Sequence, residues 1–337
     1  MRPPRSTRPT AVVTEDWHAI VARYARPVRW RSLWQLASSL ALYAALWYGA
    51  YRALAVSYWL SLAAIVPAAG MLVRIFIIFH DCGHGSFFRS RRACGAVGVV
   101  LGLLVFTPYV QWTRAHAEHH ATVGDLDRRG HGDVWTLTVE EFAGAPRWKR
   151  ALYRVIRNPL FLFGVGSFSQ FLLLQRFQMS PRDRRNAVSV FATDLALAGF
   201  VTGLCLLVGV RAWLLVQLPI MFLAAAVGVW LFYVQHQFEC VRWTRHAQWD
   251  YRTVAIRGSS YYRLPRVLQW FTGSIGYHHV HHLSPRIPNY RLAACHRENP
   301  MFAEAPVLTL RTSLRSLFLA LYDEASGKLV GFRQAAG

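Results

Sequence analysis

Four apolar stretches of about 20 residues or more constrain the fold of this chain more than any other feature. They occupy residues 32–51, 53–79, 187–210 and 212–235. Inside a bilayer every backbone N–H and C=O group must be hydrogen-bonded within the protein, so spans of this length form helices. The links within each pair are minimal, around Arg52 and Arg211. The sequence therefore predicts an all-α integral membrane protein with four transmembrane helices in two hairpins.

Two further apolar runs, residues 95–110 and 159–175, are predicted to be interfacial or re-entrant helices rather than spans. If the first run crossed the bilayer, the histidines before and after it would lie on opposite faces. If the second crossed, the arginines of residues 176–185 would lie outside the cell. We expect a helical cap that carries the histidines, and three regions along the chain: a cytoplasmic N-terminal segment (1–31), a membrane domain (32–322) and a C-terminal tail (323–337).

The formal net charge of +21, from 38 Lys and Arg against 17 Asp and Glu, indicates contact with an anionic surface. All basic residues except Arg52, Arg74 and Arg211 lie before residue 32, between residues 86 and 187, or after residue 235. Because basic segments stay on the cytoplasmic side of a membrane, both termini and the histidine clusters are predicted to be cytoplasmic. No nucleic-acid partner is expected, since the basic residues alternate with apolar stretches and form no basic helix or aromatic platform.

Ten of the fourteen histidines fall in four places, at the predicted cytoplasmic ends of these elements. On an α-helix, residues three and four apart share a face, so the histidines of each cluster can point at one site. Neutral imidazole is a favoured ligand for iron, zinc and copper. Nine of these histidines can each offer one ring nitrogen to a common site. One metal ion does not use nine ligands, so two metal ions are predicted. The candidate ligands are His80, His84, His116, His119, His120, His236, His278, His281 and His282.

Other polar residues near the clusters are expected to support these ligands. A ligating histidine usually donates its second N–H to an acceptor. The acceptors close in sequence are Asp81, Glu118, Asp125, Asp127, Asp133 and Glu239. His279 has the wrong helical phase and is predicted to hydrogen bond a ligand, whereas His18, His246 and His296 are interpreted as structural. His131, in a polar loop, is not expected to bind metal. The carboxylate-rich design of soluble di-iron bundles is absent, because only one Glu-x-x-His pair occurs, near the N-terminus.

These motifs resemble the three histidine boxes of the membrane fatty acid desaturase family. HDCGH, HAEHH and HHVHH keep the order of those boxes, and the resemblance covers roughly residues 24–332. Within that family, the sequence most resembles bacterial Δ12/ω3 acyl-lipid desaturases. The segments that carry this resemblance are RIFIIFHDCGHGSFF, HAEHHATVGDLDRRG, GDVWTLTVEEF, LFYVQHQFE and GSIGYHHVHHLSPRIPNYRL. The resemblance implies that the nine histidines hold two non-haem irons, which zinc can replace in a purified sample. The chain departs from the family at Glu239-Cys240-Val241, on the substrate side.

The resemblance also implies O₂-dependent desaturation of a fatty acyl chain, with a lipid-linked substrate expected and Trp112 and Trp135 expected to line its tunnel. A separate ferredoxin or b5-type cytochrome is expected to supply electrons. The sequence contains no His-Pro-Gly-Gly haem segment, no cysteine set for an iron–sulfur cluster and no Gly-x-Gly-x-x-Gly. The basic residues within 147–157, 182–185 and 242–266 are the candidate docking surface for that donor.

Two alternatives stay open at this point. The same boxes serve hydroxylation or acetylenic bond formation on an acyl chain, an alkane or a carotenoid. The second alternative is a protein that is not an enzyme: a membrane transporter, a haem protein or a metal-binding protein. It is disfavoured because transporters place their polar ligands near the middle of the bilayer, whereas these clusters lie at the ends of spans.

Overall fold

The computed structural model describes residues 16–130, 132–177 and 183–334, which are mostly helical with a few short strands. The helices are α1 (Trp17–Tyr24), α2 (Arg29–Ala53), α3 (Tyr58–His84), α4 (Arg91–Leu104), α5 (Tyr109–Thr122), α6 (Val139–Gly144), α7 (Arg147–Ile156), α8 (Ser167–Leu172), α9 (Arg184–Val208), α10 (Val210–His236), α11 (Tyr251–Arg257), α12 (Arg266–Phe271), α13 (His278–Leu283), α14 (Asn289–Glu298) and α15 (Leu310–Ser313). A π-helical segment (Phe161–Gly166) and four 3₁₀ turns (Leu174–Arg176, His246–Gln248, Pro300–Glu304 and Leu314–Phe318) connect them.

Three of the described helices, α3, α9 and α10, are long and apolar enough to cross a membrane. They correspond to the predicted spans 53–79, 187–210 and 212–235. The helix α10 packs along α3, and both run beyond the predicted ends, to His236 and His84. The histidines at these two places are therefore part of the last turns of long helices, where the backbone hydrogen bonds of the helix fix their positions.

The predicted first span, residues 32–51, lies in α2, which has 25 residues but is less apolar than the other three. Its inner face carries polar side chains that are hydrogen-bonded inside the protein. Ser32 Oγ donates to the Phe87 carbonyl oxygen at 2.6 Å, and Ser39 Oγ accepts from Arg74 Nε at 3.1 Å. At about 1.5 Å per residue α2 is long enough to span the hydrocarbon core. The four-span topology stays a prediction.

The predicted helix over residues 95–110 is a bent pair of helices. The helix α4 ends at Leu104, α5 begins at Tyr109, and the pair is bent by 104°, as in a broken span or a re-entrant loop. At the bend Phe106 has a left-handed φ of 53°, and Thr107 N–H donates to the Gly102 carbonyl oxygen at 2.8 Å. A Cβ on Gly102 would lie 2.6 Å from the Thr107 carbonyl oxygen, so the bend requires glycine there. It returns α5, with its three histidines, to the end of α3.

The run 159–175 consists of the π-helical segment, α8 and the first residues of a 3₁₀ turn. Arg176, at the end of that turn, donates to Asp194 Oδ1 at 2.6 Å and to the Phe106 carbonyl oxygen at 2.6 Å. Asp194 is the acidic residue within α9. An unpaired carboxylate in the middle of a membrane helix costs about 3 kcal/mol. The ion pair explains how an otherwise apolar helix carries this residue, and it ties α9 to the bend between α4 and α5.

Two small sheets lie in the regions that follow α5 and α10. Strand β1 (Leu137–Thr138) pairs in parallel with β4 (Leu321–Asp323), which pairs antiparallel with β5 (Lys328–Val330). Strand β2 (Tyr261–Arg263) pairs in parallel with β3 (Val307–Thr309). The prediction of a purely helical cap misses these strands, because two or three residues are too few to show an alternating pattern. The predicted boundary at residue 322 falls within β4.

The predicted topology can be tested by cysteine labelling in intact cells, in a Cys240→Ser background because Cys240 is exposed. Val56, between α2 and α3, and Val210, at the start of α10, are both exposed. We expect a membrane-impermeant maleimide to label Val56→Cys and Val210→Cys. Ala325→Cys, in the exposed turn between β4 and β5, should react only after the cells are permeabilised. Labelling of Ala325→Cys from outside would contradict cytoplasmic placement of this sheet.

Candidate metal centre

Four separate helices bring the nine predicted histidines into one buried region. His80 and His84 form the last turns of α3, and His236 ends α10. Three more lie on α5 and three on the short helix α13. His84 and His116 are half-buried, and the other seven are buried. The helical spacing of each sequence motif thus gives the common face that the sequence analysis predicts.

The histidines form two groups. In the first, one ring nitrogen from each of five side chains lies within 4.8 Å of all the others; the members are His80, His84, His116, His120 and His281. The Nε2 atom of His120 is 3.2 Å from that of His116 and 3.0 Å from that of His281. Residues from α3, α5 and α13 therefore share one small volume.

In the second group, His119, His236 and His282 each offer a ring nitrogen within the same 4.8 Å limit. His278 joins them, because its Nε2 atom is 2.9 Å from that of His236 and 3.0 Å from that of His282. His119 and His120 are adjacent on α5 but belong to different groups. The two groups are therefore neighbours, and α5 and α13 contribute to both.

The hydrogen-bonding pattern of these rings fits bound cations. A neutral imidazole has one donor and one acceptor nitrogen, yet several Nε2 atoms face each other. His84 Nε2 and His119 Nε2 are buried with no hydrogen-bond partner among the described residues. A buried polar atom without a partner costs about 1–3 kcal/mol. A metal ion in each group would accept the lone pairs that converge there, so the donor set suits two ions of the kind that imidazole favours.

The α13 histidines are also held in the form that binds metal. Burial lowers the pKa of His278, His281 and His282 well below its ordinary value, and the neighbouring histidines lower it further. All three are consequently neutral near pH 7. A neutral imidazole keeps the lone pair that a metal ion needs, whereas a protonated ring would repel the ion.

Two of the predicted acceptors contact the clustered histidines. Asp81 Oδ1 lies 3.2 Å from His80 Nδ1, and Asp133 Oδ1 lies 2.5 Å from His119 Nδ1. Gly132 sets the turn that delivers Asp133: its φ is +69°, and a Cβ there would lie 3.0 Å from the Ala115 carbonyl oxygen. These contacts leave Nε2 of each ring directed into its group, as second partners of metal ligands do.

The remaining predicted acceptors have other partners. Asp125 accepts from Arg128 and from His246 Nδ1, Asp127 accepts from Arg245, and Glu239 lies 3.6 Å from Lys328 Nζ. Glu118 is exposed on α5, and its role stays a prediction.

The other histidines lie outside both groups. The sequence predicts that His279 hydrogen bonds a ligand, but its Nε2 atom lies 2.9 Å from Nδ1 of His296, which belongs to neither group. His18 is exposed, and its ring stacks on Trp17. His131 lies outside the described residues.

The two predicted tunnel residues occupy different places. The Trp112 ring stacks on His116 with centroids 4.5 Å apart and lies 5.7 Å from the His80 ring. It also packs against Phe79, at 5.0 Å. Trp135 packs instead against Tyr153, at 5.0 Å. An aromatic wall thus adjoins the first group at Trp112, while Trp135 belongs to a separate apolar cluster.

Sequence reasoning missed the residues that hold Asp81. Asp81 Oδ2 accepts from the backbone N–H of Asn289 at 2.7 Å and from its Nδ2 at 2.9 Å. Gln35 Nε2 donates to Asn289 Oδ1 at 2.9 Å. A buried polar chain therefore runs from α2 through α14 to the ring of His80. Asn289 is more than 200 residues from both Gln35 and Asp81 in the sequence. The only signal in the sequence is that Asn289 lies in the family-like segment GSIGYHHVHHLSPRIPNYRL.

Residues 53–313 match the model of a family described as fatty acid desaturase, and this range contains all nine clustered histidines. The chain is 46% identical over 313 residues to a "fatty acid desaturase" of Bacillus subtilis, a match that covers 93% of this chain and 89% of that protein. It is 27% identical over 230 residues to the "sn-1 oleoyl-lipid 12-desaturase" of Synechocystis, covering 67% and 64%. It is also 27% identical over 225 residues to the "sn-1 acyl-lipid omega-3 desaturase (ferredoxin)" of Synechocystis, covering 65% and 61%.

The polar chain predicts that Asn289→Ala weakens metal binding. Asp81 would keep one of its two donors, and its hold on His80 would loosen. Loss of such outer partners typically weakens metal affinity about 10–100-fold. Competition with a chelator, followed by metal analysis, measures the change, and Asn299→Ala at the other end of α14 is the control. An unchanged affinity in folded Asn289→Ala would contradict a positioning role.

Proposed function

Because the chain belongs to the fatty acid desaturase family, and is an oxidoreductase of that kind, we propose that it uses O₂ to introduce a double bond into a lipid-linked fatty acyl chain. The reaction would take place at a di-iron centre on the cytoplasmic face of the membrane. The observation that carries the proposal is the convergence of nine imidazoles in two adjoining groups beside an aromatic wall. The acyl-lipid desaturases among the relatives support the choice of substrate.

We assign one iron to each group of histidines. The first would be held by His80, His84, His116, His120 and His281, and the second by His119, His236, His278 and His282. When bound, the two irons supply the redox chemistry that activates O₂. Zinc also suits imidazole and can occupy the same groups in a purified sample, but it has no redox states and would leave the protein inactive.

The overall reaction sets what the rest of the protein must do. Two hydrogens leave adjacent methylene carbons, one C=C bond forms, and O₂ takes up these hydrogens with two electrons and two protons to give two waters. The acyl chain must lie beside the first group with water excluded. Trp112 offers an apolar surface for this, since it stacks on His116 and packs against the fully buried Phe79. In this proposal Trp112 lines the acyl tunnel and orients the chain.

We further propose that the double bond is introduced at a Δ12 or ω3 position. This position is supported by the sequences around the histidine motifs and by the names of two relatives that are 27% identical. At the point of departure from the family, Glu239 and Cys240 are exposed while Val241 is buried. Only Val241 of the three therefore contacts the interior of the protein.

The two electrons would come from a separate acidic donor, a ferredoxin or a b5-type cytochrome. One relative is named for ferredoxin, which supports this choice. The buried guanidinium of Arg157 donates to Gln237 Oε1 at 2.8 Å, so it does not belong to the docking surface. Arg184 and Arg185 are exposed at the start of α9, close to Arg114 of α5, which pairs with Asp183. Arg182 lies outside the described residues.

Expression in a host that lacks polyunsaturated lipids tests the proposed reaction. Gas chromatography of the lipids should detect a new cis double bond with the wild type and none with His281→Ala. The matched control, His18→Ala, removes an exposed histidine outside both groups and should leave the product unchanged. A hydroxylated or acetylenic product would favour the alternative reactions. Full turnover by His281→Ala would refute the site.

Charge reversal tests the donor surface. Arg184→Glu with Arg185→Glu should raise the apparent KM for a reduced acidic ferredoxin several-fold, because charge steers such encounters. Arg311→Glu with Arg315→Glu, at exposed positions elsewhere, is the control. Turnover should also fall with salt, since the screening length is about 4 Å near 0.5 M. Equal effects of the two pairs would contradict docking at the start of α9.

A further inference from the structure

The helix α7 presents an apolar stripe that no described part of the chain covers. Trp148, Leu152 and Val155 follow the spacing of four and three that places them on one face. Their side chains are 67%, 45% and 52% exposed. On the opposite face, Tyr153 is fully buried, where its hydroxyl donates to the Ala320 carbonyl oxygen at 2.5 Å and accepts from the Leu137 N–H at 3.0 Å. The buried tyrosine fixes the rotation of α7, so its apolar stripe faces outward.

Basic residues border this stripe. The ten-residue sequence RWKRALYRVI contains four basic residues and no acidic one. At about 100° per residue, Arg147 lies on one side of the stripe and Lys149 on the other, whereas Arg150 and Arg154 lie nearer the buried face. The Arg154 guanidinium lies 5.6 Å from the Phe142 ring and 5.5 Å from the Phe332 ring, which both pack with the buried Tyr153. The outer surface of α7 is thus apolar in the middle and cationic on both sides.

The exposed apolar surface continues along the chain towards a candidate span. Leu160 is 85% exposed, and Phe161 and Val165 in the π-helical segment are also exposed. That segment packs against α10, one of the three helices able to cross a membrane. An outward apolar stripe with cationic borders is the composition of helices that lie in the membrane interface. The same surface would be unfavourable in water, where large exposed apolar patches mark contact sites.

We propose that α7 lies in the plane of the membrane surface and binds anionic lipid head groups. Trp148, Leu152 and Val155 would enter the boundary between head groups and acyl chains. Arg147 and Lys149 would contact the lipid phosphates. An acidic electron donor is the competing occupant of a basic surface. The apolar stripe at the centre of α7 favours lipid, because a donor that binds through charge does not require one. The proposal goes beyond the desaturation reaction and does not depend on it.

Fluorescence quenching in reconstituted vesicles tests the depth of α7. The full-length protein with Cys240→Ser carries an environment-sensitive fluorophore at Leu152→Cys or, separately, at Val155→Cys. The vesicles contain phosphatidylcholine brominated near the head group, with or without phosphatidylglycerol. Both labels should be quenched several-fold more strongly than a label at Ala325→Cys, in the exposed β4–β5 turn beside the ion-paired Glu324. Equal quenching at the stripe and at Ala325 would show that α7 faces water and would overturn the proposal.

Substitution of the basic residues of α7 tests whether this helix binds anionic lipid head groups. Arg147→Gln with Lys149→Gln should reduce quenching in phosphatidylglycerol vesicles to the level in pure phosphatidylcholine. Each charge contributes roughly a fivefold change in partitioning. Arg311→Gln with Arg315→Gln is the control and should have no effect. Quenching that is the same in both vesicles, and insensitive to the α7 charges, would refute head-group binding. None of these measurements uses turnover, so they remain decisive even if the proposed reaction is wrong.

Discussion

The Nε2 atoms of His236 and His278 lie 2.9 Å apart inside the protein, and similar contacts link His278 to His282 and His281 to His120. A neutral imidazole offers only one proton, and a charged one is strongly disfavoured by burial among other rings. Such a cluster is costly unless something else satisfies the converging lone pairs. Cations bound in the two groups would satisfy these lone pairs, at the place where the four helices meet.

The long helices make this convergence geometrically simple. Both α3 and α10 end in histidines, and the 104° bend between α4 and α5 returns a third set to the same place. A helix holds residues three or four apart on one face, so each motif needs only one correctly placed helix. The polar chain from Gln35 through Asn289 to Asp81 then orients His80 from outside the cluster.

The sequence predicts features that depend on local spacing and misses those that depend on distant partners. The face shared by His116 and His120 follows from helical spacing, and the long helices follow from the length of the apolar runs. Asn289 is different, because its partner Asp81 is 208 residues away and leaves no local pattern. The ion pair of Arg176 with Asp194 is hidden in the same way. In α2 the apolar signal is weakened by serine and glutamine side chains that prove to face inward. Strands of two or three residues are likewise too short to predict.

If the nine histidines hold two metal ions in adjoining groups, crystals of iron-loaded protein contain two iron atoms there. Anomalous X-ray diffraction, recorded on both sides of the iron absorption edge, locates them. We expect two anomalous peaks: one among His80, His84, His116, His120 and His281, and one among His119, His236, His278 and His282. A single peak, or peaks bound by other residues while both histidine groups are free of metal, would contradict two metal ions held by the nine histidines.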